Sequence, residues 1–353
     1  MDPHWLSAAL TPPRAFGAPL GRGILRAQPE DFIVEEDLGF AASGSGQHVL
    51  LKVRKRNANT QWVARELAKF CGCHPRDVGY AGLKDRRAVA VQWLTVPKSK
   101  LSLEAWREAR HPEFDVLEAH AHSRKLPRGA LAGNRFVIRV RDLDTSIDDQ
   151  VLDSRIAEIN RHGVPNYFGP QRFGHNGSNL VRIADGLKAL RAPERGFVLS
   201  AARSVIFNAV LAERVRDGSW NRLEAGDIAN LDGRGSIFAI DALDPTLTER
   251  AAQLDLHPTG PMWGRAAPAA HGRVADLESR VAAEFQQACD LTAEAGMDQE
   301  RRALRLAVRE LTWNREPDTN AIVVSFRLSR GSFATTVLRE LIDSDTVVDD
   351  DDG

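Results

Sequence analysis

Val78-Gly79-Tyr80-Ala81-Gly82-Leu83-Lys84-Asp85-Arg86-Arg87-Ala88-Val89-Ala90-Val91-Gln92-Trp93-Leu94-Thr95-Val96 holds two strand-like runs around a segment too polar to bury. Val78–Ala81 and Val89–Val96 are apolar and β-branched, whereas Gly82–Arg87 carries Lys84, Asp85, Arg86 and Arg87 and reads as a loop between two rigid strands. Upstream, Val49, Leu51 and Val53 alternate with Leu50, Lys52 and Arg54, the period of a strand with one wet face. Asn59 or Thr60 can then cap a helix that places Val63, Leu67 and Phe70 on one side and ends at Gly72. Downstream, Phe136, Ile138 and Val140 alternate with Val137, Arg139 and Arg141, and Ile322, Val324, Phe326 and Leu328 repeat that pattern. These segments predict a mixed or antiparallel, half-buried sheet.

The middle of the chain differs. Gly163 to Gly177 is rich in Gly, Asn and aromatic residues, Ser200 to Arg216 reads as an amphipathic helix, and Val274 to Glu310 is helical in composition. Pro258, Gly260, Pro261 and Gly264 are expected to break the chain between those helices. The organisation predicted is α+β: a strand-rich domain made of residues 1–159 and 308–353, interrupted by a more helical insert, 160–307.

With 353 residues, 43% hydrophobic and 27% charged, the chain can bury a core and is not disordered throughout. No internal repeat marks a solenoid. The first twenty residues lack a cationic stretch feeding an apolar run, no apolar run reads as long enough to cross a membrane, and three cysteines are too few for a disulfide framework. A soluble, cytoplasmic protein is expected. The net charge of -1 is pulled down by Asp343, Asp345 and Asp349 to Asp352, which read as a disordered, solubilising end. Between residues 51 and 141, 20 Lys or Arg face 8 Asp or Glu, clustered as Lys52/Arg54/Lys55/Arg56, Lys84/Arg86/Arg87 and Arg124/Lys125/Arg128. Such clusters suit a phosphate backbone, or form a solvated basic face.

Several chemistries are excluded by motif. Gly169 to Gly174 has phosphate-loop glycine spacing, but His175 and Asn176 follow where Lys and a hydroxyl are needed, and neither G-x-G-x-x-G opening a helix nor G-x-S-x-G occurs. Cys71-Gly72-Cys73-His74 has the wrong spacing for zinc and Cys289 stands alone, so no metal site is expected. What remains is Asp85, flanked by Lys84, Arg86 and Arg87. An aspartate is ionised at neutral pH, so it is a poor proton donor there; it can serve as a nucleophile or as a surface ion-pair partner.

Ala81-Gly82-Leu83-Lys84-Asp85-Arg86-Arg87-Ala88-Val89-Ala90-Val91-Gln92 resembles the catalytic motif of the TruD family of tRNA pseudouridine synthases, G-x-K-D-x-x-A-x-T-x-Q, with Ala90 where the pattern has Thr. Four further stretches resemble family elements in family order: Pro29-Glu30-Asp31-Phe32-Ile33-Val34-Glu35-Glu36, Gly133-Asn134-Arg135-Phe136, Val164-Pro165-Asn166-Tyr167-Phe168-Gly169 with Gln171-Arg172-Phe173-Gly174, and Gly331-Ser332-Phe333-Ala334-Thr335. The resemblance implies a pseudouridine-synthase catalytic domain in the outer segments and an inserted TRUD domain in 160–307. It implies isomerisation of a tRNA uridine, typically position 13 in the D arm, without metal or organic cofactor and without a membrane.

By matching position, Asp85 is the catalytic aspartate and Phe32, Asn134 and Phe333 contact substrate. Phe136 is a further stacking candidate, although each phenylalanine can equally be core. Lys84 matches the motif lysine and can orient Asp85 or grip a phosphate; Arg86 and Arg87 read as RNA-facing charge. Glu35 and Glu36 are neighbours on a strand, point to opposite faces, and read as structural, as does Gln92. Two other classes compete: an RNA-binding protein lacking the chemistry, motivated by Ala90, and metal-dependent RNA cleavage or deamination, which chelation would abolish.

Overall fold

The computed structural model describes residues 3–144, 146–317 and 319–346. It separates into two compact units: the described residues of 20–149, 309–331 and 342 onward form one, and those of 1–19, 150–308 and 332–341 the other. Residues 3–19, 150–159 and 332–341 thus pack with the central segment, whereas the sequence-based boundaries grouped them with the outer ones.

The first unit is built on an eleven-stranded sheet. Its main path runs Arg309–Arg315, Ile322–Ser329, Gly133–Arg141, Phe32–Asp37, Val89–Pro97, His48–Arg56, Phe114–His122 and Arg110–His111. Neighbours along that path are antiparallel except Phe32–Asp37 and Val89–Pro97, which run parallel. The alternation predicted for Phe136, Ile138 and Val140 and for Ile322 to Leu328 is present as alternating burial. In His48–Arg56, Val49, Leu51 and Val53 face the helix Thr60–Cys71 and meet Val63 and Leu67, while Leu50 is buried on the other face beside Ala81 and Leu126. Phe70 departs from the prediction: it is 48% exposed, its ring edge-on to Trp106 at 5.0 Å. Gly72 ends the helix in the left-handed region at φ 70°, which a glycine adopts without strain. Only Gly79–Tyr80 of the predicted strand 78–81 is paired. Asp343–Thr346 is also a strand, parallel to Arg22–Leu25, so this part of the acidic end is ordered; Asp349 to Asp352 lie outside the described residues.

The second unit is organised around the helix Glu194–Arg216, longer than the predicted 200–216 and buried over most of its surface. By length and composition this helix is apolar enough to cross a membrane, contrary to the sequence expectation, but 72% of its apolar window is packed inside the unit. Several of its buried polar groups find partners there: Arg214 pairs with Asp227 at 2.8 Å, and Asn208 bonds the Ala8 and Phe168 backbones. Two further expectations are corrected. Pro258, Gly260 and Pro261 lie inside the strand Leu256–Met262. The helical composition of 274–310 yields helices only at Gly272–Ala283 and Gln286–Glu294, after which Glu300–Ala303, Arg305–Leu306 and Arg309–Arg315 are strands. Glu300–Ala303 completes the antiparallel sheet beside Leu256–Met262, so strand pairing overrides local helix propensity.

Candidate active site

Residues opposed on neighbouring strands point to the same face of a sheet, so the strand registers alone assemble a surface in the first unit. Lys55 stands opposite Ala90 and Val53 opposite Gln92. Ala90 in turn lies opposite Val34, and Val34 opposite Phe136; Phe32 faces Ile138, and Glu36 faces Asn134. Phe136 also opposes Phe326. Lys55, Gln92, Phe32, Glu36, Asn134 and Phe136 therefore share one face. Gly133 allows the close strand approach beside Asn134, because a Cβ there would collide with the Leu328 carbonyl.

The loop Gly82–Arg87 crosses this face and is tied to it three times. Lys84 Nζ donates to Glu36 Oε1 at 2.6 Å, and Glu36 Oε2 accepts the Trp93 backbone N–H at 2.9 Å. Thr60 Oγ1 accepts the Lys84 backbone N–H at 3.0 Å and donates to Gln92 Oε1 at 2.8 Å. Lys55, fully buried, donates to the carbonyls of Ala58 at 2.6 Å and Asp85 at 2.7 Å. Burial pushes the Lys55 ammonium down to about 8, the Asp85 charge opposing that shift and the Lys84 charge adding to it.

The backbone of Asp85 is thus pinned from below while its carboxylate remains 52% exposed. Among the described residues one cation pairs with it: Arg26 Nη2 lies 2.6 Å from Asp85 Oδ2. Arg26 has a positive φ of 59°, unusual for a residue with a side chain, and its guanidinium sits 4.2 Å from the centre of the Phe32 ring. Phe32 contacts Phe136 edge-on at 6.0 Å. So exposed an ion pair contributes little to stability, on the order of 0.2–1 kcal/mol, and its physical consequence is orientation of the carboxylate.

Of the residues singled out from sequence, Asp85, Lys84, Phe32, Asn134 and Phe136 come together on this face. Phe333 belongs to the second unit, where it immediately precedes the helix Ala334–Leu338 and is 37% exposed. Phe32 and Phe136 are buried, and the side-chain oxygen of Asn134 is buried without a hydrogen-bond partner. Lys84 is paired with Glu36, an arrangement that holds the loop.

The basic clusters are likewise largely engaged. Lys52 pairs with Glu35 and Glu118, Arg54 with Asp115, Arg56 with Glu30, and Arg128 stacks on Tyr80 at 3.6 Å. Arg87 donates to the Ala27 carbonyl, whereas Arg86 is exposed. Asp31 is buried between Arg139 and Arg141; burial pushes its carboxyl up, but hydrogen bonds led by Arg141 outweigh this and hold it below the usual range. Among the described residues no three His, Cys, Asp or Glu side chains are grouped to hold a metal ion. Burial and the adjacent Cys71 push the Cys73 thiol up to about 11, away from the thiolate a metal needs.

Arg26, Lys55 and Thr60 escaped the reading of the sequence as site residues. A signal existed for Lys55, which follows Val49, Leu51 and Val53 in the inward parity of its strand; Glu36 does the same after Phe32 and Val34. Two inward charges on strands of one sheet mark a face where something polar is held.

Residues 17–187 and 182–341 match the family model described as tRNA pseudouridine synthase D (TruD). The chain belongs to the TruD family. A tRNA pseudouridine synthase D of Nitrosococcus oceani is 43% identical over 329 residues, covering 92% of this chain and 91% of its own. That of Methylococcus capsulatus is 45% identical over 341 residues, 94% of both chains. A crystal structure described as a TruD protein of Methanosarcina mazei superposes with a TM-score of 0.72 over 95% of this chain and 97% of its own; at 21% identity it speaks for the fold alone. The α+β architecture is thus that of a TruD-family protein.

Proposed function

We propose that this TruD-family protein isomerises a uridine of tRNA to pseudouridine, at position 13 in the D arm, with Asp85 as nucleophile and no metal or organic cofactor. The first unit is the catalytic domain and the second the inserted TRUD domain. The protein acts in the cytoplasm, where tRNA is its partner.

The observation that carries this reading is the contrast within one residue. Ties to the buried side chains of Lys55, Thr60 and Glu36 hold the loop that carries Asp85, one of them through its own carbonyl, yet the carboxylate is exposed and, among the described residues, held by one arginine. A structural carboxylate would be the buried end of such an arrangement, as Glu36 is. A nucleophile needs the reverse: a fixed backbone and an oxygen free to attack.

The reaction breaks the bond from C1′ to N1, turns the uracil, and joins C1′ to C5. The C5 proton leaves to a base and N1 gains a proton, so no atom is added overall. A carboxylate can assist by adding to C1′ or to C6 and departing afterwards. The target base must first leave its stack. Asn134 Oδ1 is an unpaired acceptor suited to the uracil imide N–H. Phe32 and Phe136 form the aromatic floor under Arg26 and Asp85, and Phe333 offers an exposed ring for stacking. Ala90, fully buried opposite Lys55 and Val34, lies in the sheet beneath the loop.

Asp85→Asn keeps the side chain's shape and removes its nucleophilicity. The expected outcome is unchanged tRNA affinity with no pseudouridine formed, mapped at single-nucleotide resolution on unmodified tRNA. Parallel loss of binding and turnover would assign Asp85 to RNA docking instead. Chelator should leave the wild-type rate unchanged.

A further inference from the structure

Several buried or half-buried arginines in the second unit are matched to carboxylates. Arg301 pairs with Glu278 at 2.7 Å, Arg214 with Asp227 at 2.8 Å, and Arg203 with Glu300 at 3.0 Å. Arg172 and Arg302 differ from these and lie together. No carboxylate pairs with either among the described residues, although both are only partly exposed and both lie against the same ring. The Arg302 guanidinium is 4.3 Å from the centre of Phe168 and that of Arg172 is 5.1 Å from it. Phe168 is itself buried edge-on to Phe207 at 5.5 Å.

Two like charges gathered on one aromatic ring, away from bulk water, form an arrangement that lacks its counter-charge. Glu300, which shares Arg302's side of the strand Glu300–Ala303, is already taken by Arg203. Burial, together with the Arg172 charge, pushes Arg302 down from its ordinary range to about 10. The hydrogen bonds point the same way. Arg302 uses Nη2 on Asn166 Oδ1 at 2.8 Å, and its Nε is buried without a partner; Arg172 uses Nη1 on Ser200 Oγ at 3.0 Å. A planar guanidinium held against a ring keeps the N–H donors that it does not spend on the protein, and their fork suits a tetrahedral oxyanion.

We propose that Arg172 and Arg302 form a phosphate-binding site in the second unit, and that its ligand is a phosphodiester of the tRNA backbone. The site rests on the reading of the protein as a tRNA-modifying enzyme and extends it: the second unit contributes a fixed backbone contact that sets the position of the RNA without reading its sequence. Asn166 and Ser200 hold the two forks in place, so the site is built before RNA arrives.

The test is tRNA binding across a salt series by wild type, Arg172→Gln, Arg302→Gln and Arg302→Lys, with thermal melting as a check of folding. Each loss of charge should weaken tRNA binding by about tenfold and reduce the slope of log K against log salt by about 0.7–0.9, one phosphate contact. Arg302→Lys should keep most of the salt slope and lose affinity, because a point charge replaces the fork. Arg172 is held through one serine hydroxyl, so Arg172→Gln carries the test if Arg302 variants fail to fold. Folded variants that bind tRNA like wild type, with the same slope, overturn the site while leaving the enzymatic reading intact. A wild type that does not bind tRNA overturns both. Inorganic phosphate that raises the wild-type melting temperature but not that of Arg172→Gln, combined with unchanged tRNA affinity, assigns the site to a free anion and overturns the proposal.

Discussion

Lys55→Met isolates the tie that fixes Asp85 from beneath. The folded protein depresses the Lys55 ammonium from 10.5 to about 8, a difference equivalent to about 3 kcal/mol. The sign follows from proton binding: between pH 8 and 10.5 the unfolded chain holds this proton and the folded chain does not. The Lys55 contribution to stability therefore rises with pH across that window, is complete above 10.5, and is lost as pH falls to 8. Methionine keeps the stem and deletes the amine. It removes the desolvation penalty but leaves the Ala58 and Asp85 carbonyls without their donor, each costing about 1–3 kcal/mol. Near pH 7 these effects nearly offset, so total stability is a poor readout and its pH dependence a good one. Denaturant unfolding of both proteins at pH 7.5 and 10.5 should show the wild type gaining about 3 kcal/mol relative to Lys55→Met. Other groups that titrate in this range, Cys73 among them, cancel in the comparison. Single-turnover rates should fall by a factor on the order of ten to a hundred while tRNA affinity holds, since a nucleophile displaced by about 1 Å loses its alignment. A stability difference that stays constant with pH, or a variant that turns over at the wild-type rate, would refute the reasoning.

Two further substitutions separate holding the loop from aiming the carboxylate. Lys84→Met strands Glu36, whose side chain is fully buried, and should destabilise the fold by about 3–5 kcal/mol in denaturant unfolding; adding Glu36→Gln should recover part of that, and a loss under about 1 kcal/mol would mean the pair is not buried. Arg26→Gly suits the positive φ at that position and removes only an exposed ion pair, so stability should change by less than about 1 kcal/mol. Its kcat should fall about tenfold or more with KM little altered, whereas an effect confined to KM would make Arg26 a phosphate contact rather than a positioning residue.

What the sequence made legible was what depends on nearest neighbours. Alternation at Val49 to Val53, Phe136 to Val140 and Ile322 to Leu328 predicts strands because one face of each is buried, and the polarity of Gly82–Arg87 predicts a loop because its charges need water. Partners distant in sequence were not legible. The strand Glu300–Ala303 has helical composition and becomes a strand by pairing with Leu256–Met262. That strand tolerates Pro258 and Pro261 because Ile228–Leu231 and Glu300–Ala303 each cover only part of its length. At the candidate site the same limit applies. Lys52, Arg54 and Arg56 read as phosphate-seeking charge until Glu35, Asp115 and Glu30 arrive from other strands and loops to neutralise them.

That last point changes how charge should be weighed in this protein. A basic stretch identifies a nucleic-acid surface only if its cations lack protein partners, and in the first unit most of the clustered ones have them. Among the cations left over are Arg172 and Arg302, gathered on one ring with no carboxylate paired to either among the described residues. Both sit where protein chemistry alone leaves a charge incompletely answered, and an incoming polyanion answers it. Affinity for RNA should therefore depend far more on Arg172 and Arg302 than on the Lys52–Arg56 run. Neutralising Arg54 and Arg56 together provides the control: it should leave the salt dependence of tRNA binding close to wild type.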